Sequence, residues 1–318
     1  MILPKRIQQK LDTHAVQRAN EIYHNLEHAY YDARHDEMLQ FERTFWKSAA
    51  AKYLTRKNPI VCLDYGTGTG FVPETIGDSL KHDDLLICCD ISSEMLRTCK
   101  SKLASLSLAC QCSFRDVAGT AIPADTGSVD AITANSVLHH IFDLRRFSSE
   151  CRRILKPGGL VIIAHEPNRS TMLSLPVRLL SNLAKVVFKP KTILMSLVDK
   201  MPFLEQVARS VLSKTSKHYR QRNKMLAEVV RQLKEEKLID FDLRGTELQQ
   251  IVDFQAQYGF DKNVLLGEIF RGFETVEFET YCHLGFFAGS GCAASLDRYL
   301  RARWPDAGTE MRFVLKLS

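Results

Sequence analysis

No stretch of this chain stays apolar for the about 20 residues that a bilayer crossing needs. The opening residues, Met1-Ile-Leu-Pro-Lys-Arg6, are not followed by the apolar core of a secretory leader. Together these absences give the expectation of a cytoplasmic protein. Cysteine occurs nine times, but nowhere at a metal-ligand spacing. Cys110-x-Cys112 is tighter than a zinc knuckle, and the adjacent Cys88 and Cys89 lie in a strand-like run whose neighbours point to opposite faces. The cysteines therefore read as reduced, and no metal is expected. There is little excess of charge, with 43 Lys and Arg against 37 Asp and Glu. Its placement carries more information than its size.

Also missing is the dinucleotide fingerprint G-x-G-x-x-G. Counted from Gly66, its third glycine would fall at position 71, which is Phe71. What stands there is Val61-Cys-Leu-Asp-Tyr-Gly-Thr-Gly-Thr-Gly-Phe-Val72. An apolar run from 59 to 63 predicts a buried strand, the glycines a tight turn, and the residues after Phe71 a helix. Glycine admits positive φ and close approach of a ligand, and a helix N-terminus offers unpaired N–H groups. Asp64 on the strand suits a ligand carrying positive charge better than a pyrophosphate. Further strands follow in order. Leu85-Leu-Ile-Cys-Cys-Asp90 ends in an acid 24 positions after Gly66, the place where such an acid meets ribose hydroxyls. Phe114-Arg-Asp116 closes a third strand, and Val129-Asp-Ala-Ile-Thr-Ala134 forms a fourth ahead of Asn135-Ser-Val-Leu-His-His-Ile141. Leu155-Lys-Pro-Gly-Gly-Leu-Val-Ile-Ile-Ala-His165 is a helix end, a turn and a fifth strand.

Over residues 59–168 this ordered set resembles the class I S-adenosylmethionine-dependent methyltransferases. The resemblance implies an α/β fold: a doubly wound, seven-stranded Rossmann-like sheet of order 3-2-1-4-5-7-6. It implies S-adenosyl-L-methionine as cofactor. It assigns the cofactor to Asp64, Gly66, Thr67, Gly68 and Gly70 in the turn, and to Asp90 and Ile91 after strand two. Asp116 and Val117 follow strand three, with the acid on the adenine amino group, and Asn135 follows strand four. Tyr30 or Tyr31 from an N-terminal helix would cover the methionine end, or would simply pack the helices onto the sheet. Candidate general bases are His165 and Glu166 at the C-terminal end of strand five and His140 at that of strand four. Two consecutive histidines cannot both face the pocket from one helical turn.

Residues 1–56 carry helical periodicity over 15–28 and 36–54, interrupted at Tyr30, Tyr31 and Asp32. Residues 57–168 are the cofactor-binding core, with helices at 71–80, 93–106 and 144–155. From 169 to 258 the chain departs from the minimal pattern into a helical insert, with runs at 172–187, 192–212 and 219–236. Between 171 and 238 stand 14 Lys and Arg against five Asp and Glu, a net +9 that leaves −3 for the rest. Residues 259–318 return to the sheet with a helix at 262–270, a strand at 274–281, a helix at 295–304 and a closing strand at 311–317. The insert leaves strand five at its C-terminal end, where acceptors enter open α/β sheets. Its runs hold more apolar residues than one buried stripe requires, and basic residues flank them. The expectation is a helical cap over a largely apolar small-molecule or lipid acceptor, methylated at oxygen, with peripheral membrane contact through the insert. The basic insert leaves an RNA methyltransferase open, although no Asn-Pro-Pro-Tyr motif follows strand four. A non-catalytic methyltransferase-like scaffold is a further alternative, disfavoured by the intact acids and glycines.

Overall fold

A computed structural model describes residues 12–55, 58–117, 121–188, 217–243, 245–253, 259–286 and 291–318. Two helices open it, α1 (Thr13–Glu27) and α2 (Tyr31–Ala49), the second running on into a wider π turn over Ala50–Leu54. Then come β1 (Val61–Tyr65), α3 (Phe71–Ile76), β2 (Leu85–Asp90), α4 (Ser93–Leu106), β3 (Gln111–Asp116), β4 (Val129–Asn135), α5 (Leu144–Ile154) and β5 (Leu155–Pro167). The insert contributes α6 (Arg169–Leu173), α7 (Leu175–Phe188), α8 (Lys217–Glu235) and α9 (Gly245–Val252). The chain closes with α10 (Lys262–Val264), β6 (Phe273–Tyr281), α11 (Gly291–Arg303) and β7 (Glu310–Leu317).

The seven strands form one sheet of order β3-β2-β1-β4-β5-β7-β6. The first five pair in parallel, while β7 runs antiparallel between β5 and β6. The central strands are apolar almost throughout because helices cover both faces. Neighbouring residues divide between two cores. Leu63, Ile132 and Phe313 pack with Phe147 and Ile154 of α5. Cys62, Leu86, Ile162 and Val314 pack with Trp46 of α2 and with residues of α3 and α4. Helix starts follow their side-chain caps: Ser92 accepts from the Met95 N–H at 3.1 Å, and Asp143 from the Arg146 N–H at 3.0 Å.

The ends of the insert meet. The Phe260 N–H donates to the Pro167 carbonyl at 2.7 Å, and the Arg169 N–H to the Phe260 carbonyl at 3.0 Å. Helices α8 and α9 do not lie on the sheet. They pack on α1, where Leu226, Val229, Leu233, Leu248 and Ile251 bury Val16, Ala19 and Ile22.

Local differences from expectation have local causes. Helix α2 begins at Tyr31, five residues early, because Asp32 at its first turn is tied to Thr69 and Lys102 of the core. The 172–187 run breaks at Ser174, and Pro176 sits in the first turn of α7, where its missing N–H costs no hydrogen bond. The helix read at 262–270 is one short α turn followed by a π turn over Leu265–Ile269. Helix α9 was not expected, and the run at 192–212 lies outside the described residues. Eight described cysteines are free thiols, most of them buried.

Candidate functional site

The turn after β1 is held against β2. The Thr67 N–H donates to the Cys89 carbonyl at 2.9 Å, and the Gly68 N–H to Asp90 Oδ2 at 2.8 Å. Gly66 has φ +68°, and a Cβ there would lie 2.6 Å from Val137 Cγ2. Gly68, at φ +53°, has nothing within 4 Å of the position a Cβ would take. The turn is therefore closed against the protein at Gly66 and open at Gly68. Asp90 Oδ1 also accepts from the Ser92 N–H at 2.8 Å. Burial raises the Asp90 carboxyl pKa, and the N–H groups of Ser92, Gly68 and Ile91 oppose that rise.

Beside this turn lies a partly open cavity. Gly66, Gly68, Asp90, Ile91 and Val117 form its floor, and Asn135, Val137, His140, Ile141 and Phe142 one wall. The opposite wall is Gln17, Asn20 and His24 of α1 with Tyr31 of α2. Side chains fix both helices over the cavity. Asn25 Oδ1 accepts from Ser92 Oγ at 2.7 Å, Asp32 Oδ2 from Lys102 Nζ at 2.7 Å, and Asn135 Oδ1 from Trp46 Nε1 at 2.9 Å.

The sequence-derived residues divide into three groups. Gly66, Gly68, Asp90, Ile91, Val117, Asn135 and His140 line the cavity. Asp64, Thr67 and Gly70 stand behind its lining. Asp64 is buried and accepts from Thr133 Oγ1 at 2.6 Å, and burial pushes its carboxyl up to about 7. Asp116 is exposed at the end of β3 and outside the lining. The third group is displaced. Tyr30 is 47% exposed, and its neighbour Tyr31 takes the place in the wall. The phase of α2 decides this, since Tyr31 starts the helix and Tyr30 precedes it.

His165 and Glu166 also lie outside the lining. Glu166 is fully buried, and its carboxylate accepts from the backbone N–H groups of Val137 and Leu138, both at 2.7 Å, and of His139 at 3.2 Å. It also meets His139 Nδ1 at 3.0 Å. It thus holds the loop after β4 from behind. His165 has φ +59°, and its ring lies against Phe286 and beside Glu42. Its N–H donates to Tyr281 Oη at 3.0 Å, and that hydroxyl donates to Glu42 Oε1 at 2.5 Å. Burial works to lower the His165 pKa, but Glu310, Glu42 and Glu166 outweigh it and carry the ring up to about 8.

His140 keeps its place. Its Nδ1 lies 2.8 Å from the Val252 carbonyl, which can only accept, so Nδ1 carries the proton and Nε2 a lone pair. Burial, with His139 and His24 beside it, holds its pKa well below the ordinary histidine value. Among the described residues His139, His140 and Asp253 bring donor atoms within 4.8 Å of one another, a grouping that could hold a metal ion.

Sequence reasoning passed over Gln17, Asn20 and His24. Their spacing is a signal, because positions 17, 20 and 24 form one stripe along a helix. His24 Nδ1 is 3.4 Å from Glu27 Oε2, and its ring meets that of His140 edge-on at 5.0 Å between centroids.

Residues 63–163 match a family model described as a methyltransferase domain. Among curated proteins, the chain is 28% identical over 109 residues to malonyl-[acyl-carrier protein] O-methyltransferase 1 of Coxiella burnetii, covering 34% of each chain. It is 29% identical over 144 residues to the ubiquinone/menaquinone biosynthesis C-methyltransferase UbiE of Pseudoalteromonas translucida, covering 45% of this chain and 57% of that one. The chain thus spans between about a third and three-fifths of the length of these relatives. Among solved structures it is similar to an S-adenosylmethionine-dependent methyltransferase from Mesorhizobium loti at 11% identity. That match covers 85% of this chain and 96% of the other, with a TM-score of 0.46.

Proposed function

Residues 63–163 form a class I S-adenosyl-L-methionine-dependent methyltransferase domain, and from that premise we propose that the whole protein methylates a small, largely apolar acceptor at an oxygen atom. One observation carries the reading: one cavity joins the cofactor turn at Gly66, Gly68 and Asp90 to the apolar side chains of Val137, Ile141 and Phe142, with Tyr31 facing them. The residues fit the cofactor. Gly68 is open where a ligand would approach, and Asp90 keeps lone pairs for ribose hydroxyls while its N–H partners orient it.

When bound, the cofactor supplies an electrophilic methyl group on a sulfur that leaves readily. The chain must then align the acceptor, exclude water and take up a proton. Alignment alone is worth roughly 7–11 kcal/mol. The apolar wall and α1 exclude water. His140 Nε2 is the base: its lone pair is fixed by the proton on Nδ1, and its burial keeps it neutral. The choice of oxygen rests on this base.

Calorimetry with S-adenosylhomocysteine, followed by transfer of labelled methyl into lipid, small-molecule and RNA fractions of an extract, tests the reading. Label in the lipid or small-molecule fraction is expected. Label confined to RNA would overturn the acceptor class. His140→Gln should keep S-adenosylhomocysteine affinity and lose roughly 10²–10⁴ in turnover. Unchanged turnover would leave alignment as the whole of catalysis.

Membrane contact is the second part of the proposal, supported by α7. Leu175, Leu179 and Leu183 recur every four residues and are 54–62% exposed, beside Arg178. Among the described residues no helix is long and apolar enough to cross a membrane, so such contact would be at the surface.

A further inference from the structure

Near the middle of α1 the chain departs from a local rule. Val16, Ala19, Ile22 and Tyr23 around it are buried and largely apolar, whereas Asn20 is only 4% exposed and polar. Asparagine is a poor residue for a helix interior, and an amide withdrawn from water needs a partner at each end. Asn20 has one at its nitrogen. Its Nδ2 donates to the Val16 carbonyl at 3.0 Å, while its Oδ1 has no hydrogen-bond partner among the described residues. A carbonyl only accepts, so Val16 fixes which end of the amide is nitrogen and leaves the oxygen as the unpaired end.

Asn20 is also part of the cavity wall. Its place there is set by the helix. Asn25 of α1 is tied to Ser92, two residues past Asp90, and Asn20 lies about 7 Å further back along the axis at 1.5 Å per residue. Phe142, which lines the same cavity, packs on the cluster that α1 forms with α8 and α9. Asn20 therefore stands on the side of the cavity shared with Phe142, beyond the acid assigned to the ribose. Among the described residues the lining holds no Lys or Arg to balance an anion.

Resting on the methyltransferase reading, we propose that Asn20 is a specificity-determining residue whose Oδ1 accepts a hydrogen bond from an O–H or N–H of an uncharged acceptor, a group separate from the oxygen that is methylated. A hydrocarbon at that point would leave the amide oxygen buried and unpaired. A site built to pair with a donor rejects the analogue lacking it far more strongly than a pocket rejects a missing methylene. The acceptor is thus a largely apolar molecule with two donors before the reaction and one after it. Local folding rules favour an apolar residue at position 20, and the chain keeps an amide there for what it binds.

The test uses the full chain and S-adenosylmethionine carrying a labelled methyl group. The wild type labels an extract, and the main labelled product is weighed by mass spectrometry in water and in heavy water. That product should keep at least one exchangeable hydrogen. A product with none overturns the proposal, and so does a chain that binds S-adenosylhomocysteine yet labels nothing. Failure to bind S-adenosylhomocysteine would sink the methyltransferase reading instead. The unmethylated form of the product then serves as substrate for Asn20→Leu, which keeps the size and removes the oxygen. KM should rise about tenfold to a hundredfold with a smaller change in kcat, while S-adenosylhomocysteine affinity and melting temperature hold. For an analogue of the substrate without the second donor, wild type and variant should have the same KM. A merely structural role gives a lower melting temperature and equal losses for substrate and analogue. That equal loss, or an unchanged KM for the substrate, refutes the proposal. Asn20→Ala provides the same comparison if the leucine variant fails to fold.

Discussion

Glu166 accepts hydrogen bonds from three successive backbone N–H groups after β4 and from the His139 ring, in a position with no solvent exposure. Those N–H groups open the short helical turn that follows β4 and would otherwise be unpaired inside the protein. The carboxylate thereby sets the path of Ser136 to His140, which brings His140 to the cavity. Hydrogen bonds to a charged group contribute roughly 1.5–3 kcal/mol. Glu166→Gln turns one acceptor oxygen into a donor facing N–H groups. Its expected result is a loss of about 3 kcal/mol or more of unfolding free energy in urea, and an unchanged stability would contradict the role assigned here. Asp90 is a different kind of acid, because it lines the cavity as well as bracing the turn through Gly68. Asp90→Ala should weaken S-adenosylhomocysteine binding by about tenfold to a hundredfold in calorimetry. A folded variant with wild-type affinity would remove Asp90 from the cofactor site.

Among elements, α1 behaves as a wall attached on two sides. Asn25 ties it to the start of α4, while Val16, Ala19 and Ile22 are buried against α8 and α9. The described part of the insert therefore reaches the cavity through α1 and through the Val252 carbonyl on His140. Leu233 of α8 is fully buried in this cluster. Leu233→Ala should cost about 2–5 kcal/mol and lower the melting temperature. If α1 is held by the insert, S-adenosylhomocysteine affinity should fall in the same variant. Helix α7 presents the opposite situation, with its three leucines toward solvent. Replacing Leu175, Leu179 and Leu183 together by Glu should abolish flotation with anionic liposomes at low salt. A wild-type chain that does not float, or a variant that floats as well, would remove the membrane contact.

For the molecule as a whole, the pH dependence of stability follows from buried groups away from the cavity. His165, raised to about 8 by Glu310, Glu42 and Glu166 against its own burial, holds its proton more tightly folded than unfolded. Its contribution is complete below about 6.5 and disappears as pH rises through 8, amounting to about 2 kcal/mol. Asp64 acts in the same direction over a lower range. Burial raises it to about 7, so the folded chain keeps a proton that the unfolded chain loses near 4, and stability falls as pH rises between those values. Urea unfolding of the ligand-free protein should show stability declining from pH 6 to 9, with the part above 7 absent in His165→Gln. A flat profile would show that His165 is not protonated in the folded chain.

The sequence by itself determined the strands of the sheet and the turn at its centre, while the strand order came through the family resemblance that those features carry. Each of those depends on a short local pattern: apolar runs of strand length, glycines where φ must be positive, an acid at a strand end, an antiparallel closing pair. Tertiary structure alone decided which side chains face the cavity. Tyr31 stands in the wall and Tyr30 does not, because α2 starts between them. Glu166 looked like a base from its place at the C-terminal end of strand five, yet its partners Val137 to His139 lie 27 to 29 residues away in sequence. His24 is separated by more than a hundred residues from His140, which it meets edge-on. The stripe at 17, 20 and 24 was visible as a periodicity, but not as a site. A helix's apolar face shows which side is buried, whereas what its polar flank meets depends on how distant elements pack around it.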